Sequence, residues 1–210
     1  MDMSLANNSS DSVNLIERVR NGDPVAMQEM FTRHRDRLRR MVDLRLDSRL
    51  QGRIDSSEVL NDVYLQVTNK VADFLRNPTQ SIFLWLRTLV GERLSALHRQ
   101  HLGKRSGDNC LELTLFHDAL PEASSAALAA QLLGRQSSVT KAAVRADRIL
   151  RVQEALNSME PVDRELLSMR HFEQLSRKEA AQVLGIEEGH AAKRYIRALK
   201  KMQRMLSEMP

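Results

Sequence analysis

The chain has 210 residues, a formal charge of +5, 42% hydrophobic residues and 4% aromatic residues. The hydrophobic share is enough for a packed core and excludes wholesale disorder, while Ala, Leu, Met, Arg, Glu and Gln outweigh β-branched and aromatic residues. An all-α fold is therefore expected, as two small helical domains joined by a flexible linker. The one cysteine, Cys110, excludes a disulfide framework within the chain and fits a reducing cytoplasm. No apolar run approaches membrane-spanning length, and the polar start MDMSLANNSSDS does not read as a signal peptide.

Residues 1–11 read as a disordered tail. A short helix through VNLIERVRN follows, stopped by Gly22, and Asp23-Pro24 restarts the chain as a longer helix. There Met27, Met30, Phe31, Leu38, Met41 and Val42 recur at helical spacing, and Arg33, Arg35, Arg37, Arg39 and Arg40 read as a solvated face. Asp55-Ser56-Ser57-Glu58 is a capping-box-like start for a third helix. It buries Val59, Leu60, Val63, Tyr64 and Val67, and leaves Glu58, Asn61, Asp62 and Gln66 outside. Arg76-Asn77-Pro78 ends it. A fourth helix runs through SIFLWLRTLVGERLSALHRQ, with basic residues gathering toward its end. Together these form a four-helix bundle over residues 12–102.

Residues 103–146 read as a linker opened by Gly, Ser, Asn and Asp, with an Ala-rich stretch that forms a transient helix. A second domain, 147–210, starts near Asp147, and Glu160-Pro161 opens another helix within it. Ser176 and Glu179 form a second capping box, Gly185 marks a sharp turn and Ile186 plugs the angle. This is a helix-turn-helix pattern. Its second helix carries Lys193, Arg197, Lys200 and Arg204 on one face and Tyr195, Ala198, Leu199, Met202 and Leu206 on another. A cationic face of this kind suits DNA phosphates, although a solvated surface helix has the same pattern. Glu187 and Glu188 precede the basic residues. They either complement the positive end of the helix dipole or accept a hydrogen bond from a cytosine amino group.

Taken in order, these segments resemble the extracytoplasmic-function (ECF) sigma factors of bacterial RNA polymerase. GDPVAMQEMFTRHRDRLRRMV resembles the first conserved helix of that family, and DSSEVLNDVYLQV its polymerase-binding segment. SIFLWLRTLVGERLSALHRQ resembles the Trp-centred segment that recognises and melts the promoter. Residues 148–206 resemble the second domain. The turn Glu187-Glu188-Gly189-His190-Ala191-Ala192-Lys193-Arg194 is similar to a variant in sigma factors of planctomycete type. It departs from the common pattern by placing Ala192 where a lysine is usual, so base specificity does not carry over.

The resemblance implies partners and roles. Core RNA polymerase would be bound by Glu58, Asn61, Asp62 and Gln66. The minus-ten promoter region would be contacted by Phe74, Arg76, Asn77, Arg87, Arg93, His98 and Arg99, with Phe74 equally suited to the core and Trp85 better suited to it. The minus-thirty-five region would be contacted by His190, Lys193, Arg194, Arg197 and Lys200. Many members of the family are held by an anti-sigma factor. No catalytic, cofactor or metal constellation is expected, and His98 and His101 lack a third ligand nearby. Two rival readings remain: a helix-turn-helix regulator acting without polymerase, and a helical protein-interaction adaptor.

Overall fold

The computed structural model describes residues 13–102, 110–111, 120–133 and 142–207. The expected tail, residues 1–11, lies outside them, as do parts of the expected linker. Helix α1 spans 13–20 and stops at Gly22, whose φ of +80° is a conformation that glycine adopts without a Cβ penalty. Helix α2 (Pro24–Arg45) starts as its sequence predicts: the Asp23 carboxylate accepts the Val25 and Ala26 N–H groups at 2.8 and 3.2 Å, and Pro24 fills the first turn. Helix α3 (Ser56–Arg76) opens on the expected capping box, with Asp55 and Glu58 satisfying each other's backbone N–H groups, and ends before Asn77-Pro78. Helix α4 is Ile82–Leu102.

The inward stripes of these helices meet as expected. Leu38, Met41 and Val42 of α2, Leu60, Val63 and Val67 of α3, and Leu84, Leu86, Val90 and Leu94 of α4 share one core. Phe31 meets Tyr64 edge-on at 5.2 Å, tying α2 to α3.

The region expected to be a linker is partly built. Strands β1 (Cys110–Leu111) and β2 (Leu120–Pro121) pair antiparallel, and β2 lies against α4. Helix α5 (Ser125–Leu132), capped by Ser124, packs on α6 (Ala142–Asn157) and on the end of α2. The Ala-rich stretch is thus a docked element. It buries Leu128 and Ala129 against Leu44, Val152 and Leu156 in a second core. Helix α6 also begins five residues earlier than the apolar pattern from Asp147 indicates, because Ala142 and Ala143 extend it without adding to the stripe.

Helices α7 (Pro161–His171), α8 (Arg177–Leu184) and α9 (Glu188–Ser207) complete the chain. Pro161 sits at the first position of α7, and the Ser176–Glu179 capping box opens α8. Gly185 closes α8 in the left-handed region (φ +62°), where the turn to α9 needs it. Leu166, Met169, Leu175, Ala180, Val183 and Leu184 join the core of α2–α4, so the two halves meet along a packed seam. No helix among the described residues is long and apolar enough to cross a membrane.

Candidate nucleic-acid interface

Helix α9 sorts its residues by face. Ala191 and Ala198 are buried, and Tyr195 and Met202 pack against the apolar clusters. His190, Lys193, Arg197, Lys200 and Arg204 are exposed. At 1.5 Å rise per residue their stripe runs about 20 Å, long enough to follow several phosphates. Arg194 stands apart. Its guanidinium holds Asp163 at 2.7 Å and also bonds Glu160, which pins the start of α9 to the start of α7. Burial pulls the Arg194 pKa down, but the hydrogen bonds to Asp163 and Glu160 outweigh it and leave it raised. Lys201 donates to the Ser158 carbonyl at 2.6 Å, closing the turn after α6. Of the basic residues on α9, these two serve the fold. Glu187 and Glu188 are both exposed at the helix start, and Glu188 lies in its first turn.

On the other half, Glu58 and Asn61 are exposed on α3, with Asp62 and Gln66 half-buried beside them. Leu65, 63% exposed, sits among them as an apolar centre to a polar patch. Asp62 Oδ2 accepts from Arg93 Nε and Nη2 at 2.9 and 2.6 Å. The residue expected to meet polymerase and one expected to meet DNA are therefore bonded to each other across the α3–α4 seam. Phe74 stacks on Trp85 with ring centroids 4.5 Å apart and planes 7° from parallel, and both pack against the core. Arg76 and Asn77 beyond it are exposed, Arg76 pairing with Asp73 at 2.9 Å. The His98 ring accepts the Asp47 N–H at 3.3 Å through Nε2, while Arg99 is exposed. Asp47 is held down at about 2, chiefly by its hydrogen bond from Arg49.

Arg87 is the clear departure from the sequence expectation. It is buried, and its Nε donates to Glu173 Oε2 at 2.6 Å. It belongs to a buried quartet at the seam. Arg45 Nη2 lies 2.5 Å from Glu165 Oε2 and 2.7 Å from Glu173 Oε1, and the remaining Glu165 oxygen accepts the Ala123 N–H at 2.6 Å. Burial raises the Glu173 carboxyl, but Arg45 and Arg87 overcome this and hold it at about 2. The arginine face of α2 is not wholly solvated either. Arg37 donates to the carbonyls of Glu173 (2.7 Å) and Gln174 (3.1 Å), and Arg40 to that of Phe172 (2.7 Å). Arg37 also lies 3.5 Å above the Phe83 ring. A sequence signal for the quartet exists. Arg45 follows Met41 by four residues, and Arg87 follows Phe83 by four, so both arginines continue an apolar stripe.

Residues 149–202 match the family model described as Sigma-70, region 4, a span that holds the helix-turn-helix and its basic stripe as far as Lys200. No match is found among curated proteins. Among solved structures, CnrH in complex with the cytosolic domain of CnrY is similar in fold: TM-score 0.54 and 18% identity, covering 93% of this chain and 97% of that one. The sigma factor RpoE in complex with the anti-sigma factor NepR from Bartonella quintana gives a TM-score of 0.44 at 13% identity, over 92% of this chain and 99% of that one. The chain is thus mostly helical, shares its fold with CnrH over most of its length, and carries a segment similar to sigma-70 region 4 at residues 149–202.

Proposed function

We propose that the chain binds core RNA polymerase through the α3 patch of Glu58, Asn61, Asp62, Leu65 and Gln66, and directs it to promoters. The α9 stripe of His190, Lys193, Arg197 and Lys200 contacts the upstream element. Its first turns read base edges in the major groove and its later cations hold phosphates. Phe74, Arg76, Asn77, Arg93, His98 and Arg99 face the melted downstream element, where unstacked bases need a holding surface. In this reading the protein supplies specificity and polymerase supplies the chemistry, in the cytoplasm. The domains work as 12–102 and 147–210. An inhibitory protein of the anti-sigma kind, which the family resemblance implies, is a further partner; CnrH was itself solved in complex with another protein, the cytosolic domain of CnrY.

The carrying observation is the exposed basic stripe of α9 within the span that matches Sigma-70, region 4. The test is run-off transcription with core polymerase. Promoter-dependent initiation only when this protein is added is the expected result. DNA binding with no effect on polymerase would instead favour a separate regulator, and neither activity would favour an adaptor. Asp62→Arg should weaken pull-down of core polymerase. Because this change also breaks the Asp62–Arg93 pair, Arg93→Ala is the control, and equal weakening by both would assign the effect to the seam.

A further inference from the structure

Helices α7, α8 and α9 do not close completely on one another. A cavity of about 120 Å³ lies between them. Leu166 of α7, Ala180 of α8 and Ala191 of α9 form its buried side. Ala192 adds a second small side chain from α9, and Tyr195 presents its ring. Alanines on facing helices leave unfilled a space that close packing would normally remove. The cavity reaches the surface beside Ile196, which is 52% exposed. An apolar void of about 150 Å³ takes up a benzene ring, so this one has room for a small ring or a branched chain.

The rest of the wall is cationic. Arg170 and Arg177 are its charged residues, and no carboxylate lines the cavity. Arg170 donates to the Leu175 carbonyl through Nη1, and its guanidinium carbon stands 5.6 Å from the centre of the Tyr195 ring. Its Nε is buried and has no hydrogen-bond partner. Buried donors are normally satisfied, so this N–H calls for an acceptor that the protein does not supply. Arg177 is exposed and makes no ion pair among the described residues. A lone water would satisfy the Nε donor, but it needs several polar partners and would leave both charges unmatched.

We infer that the cavity between α7, α8 and α9 binds a small monoanion with an apolar body, an aromatic or short branched carboxylate. The apolar body fills the space among Leu166, the alanines and Tyr195. The carboxylate accepts from Arg170 Nε and faces Arg177. Charge-assisted bonds of this kind are the strong ones, and the guanidinium fork suits the two oxygens of a carboxylate. The ligand touches all three helices, so its binding ties the first turns of α9 to α7 and α8. The site stands whether or not α9 contacts DNA, and therefore does not rest on the proposed function.

Benzoate is the probe, with benzyl alcohol as a neutral counterpart of similar size, each added to the full chain. Affinity is measured by calorimetry and by saturation transfer to the aromatic protons of the ligand, and amide exchange locates the site. Benzoate should bind at least about tenfold more tightly than benzyl alcohol, because a charge-assisted bond outweighs a neutral one. It should also slow exchange in the first turns of α9. Arg177→Ala should cut the preference for the anion at least about threefold, since one of two cations is gone. Ala192→Leu fills the cavity from a half-buried position and should lower benzoate affinity at least about tenfold. The inference is overturned if benzoate binds no more tightly than benzyl alcohol, or if it slows exchange elsewhere but not in α9. It is equally overturned if Ala192→Leu binds benzoate as wild type does, or if Arg177→Ala leaves the preference unchanged. Where Ala192→Leu fails to fold by circular dichroism, Arg177→Ala and the benzyl alcohol comparison decide alone.

Discussion

Arg45→Met isolates the buried quartet. Methionine keeps the unbranched length and apolar stem of arginine, so packing around α2 is largely retained and the guanidinium is what goes. Arg45 contacts both Glu165 and Glu173, whereas Arg87 contacts Glu173 alone. The variant thus leaves two buried carboxylates facing one cation, and Glu165 keeps only the Ala123 N–H. Breaking a buried ion pair from one side costs about 3–5 kcal/mol. For a chain of this size each kcal/mol moves Tm by about 2–4 °C, so the loss should be about 6–20 °C at pH 7. The assay is thermal unfolding followed by circular dichroism, repeated near pH 4.5. There an unpaired buried carboxyl can take up a proton, and the gap between variant and wild type should narrow. Adding Glu165→Gln should recover part of the loss. A Tm drop below 2 °C at pH 7, or a gap that widens on acidification, would refute the view that these charges depend on one another.

The wild-type chain should lose stability on acidification in two windows. Burial, then the nearby Arg37 and Arg33, lower His34 from 6.5 to about 4, so the unfolded chain takes up that proton first and stability falls from about pH 6.5 toward 4. Glu173 is held near 2 against an ordinary 4.5, so its contribution is full above pH 4.5 and is lost as pH falls toward 2. A Tm–pH series should show both slopes, and His34→Gln should flatten only the upper one. Phe74→Ala removes the partner stacked on Trp85, the single tryptophan of the chain. It should cost about 2–3 kcal/mol for a half-buried ring and shift the tryptophan emission to longer wavelength; unchanged emission would contradict the stack. Lys200→Ala should weaken promoter binding evenly across sequences and reduce the salt slope by about one, read from fluorescence titrations at several salt concentrations.

Much of the fold was legible because local chemistry and periodicity agreed. Asp23-Pro24, the Asp55–Glu58 and Ser176–Glu179 boxes, Gly22 and Gly185 each placed an element boundary from side-chain and backbone preferences alone. The α9 stripe was legible for the same reason, since a helix period of 3.6 dictates which cations share a face. Arg87 reads as surface because it stands near other basic residues, although it continues the apolar stripe four residues after Phe83. Its partner Glu173 lies 86 positions away, and no local pattern announces it. Arg37 and Arg40 were missed likewise, as their acceptors are backbone carbonyls, which every residue carries. Helix α5 reads as transient in isolation, because eight residues cannot sustain a helix in water. Burial of Leu128 and Ala129 against Leu44 and α6 supplies what length does not.

The Glu179 carboxylate caps α8 and also accepts from Ser81 of the other half. One side chain therefore serves two readers. Loss of the Ser81 contact would loosen the first turn of α8, so amide exchange at the start of α8 should report how firmly the two halves are docked. Docking of the bundle and firmness of the helix-turn-helix are thereby joined through a single carboxylate.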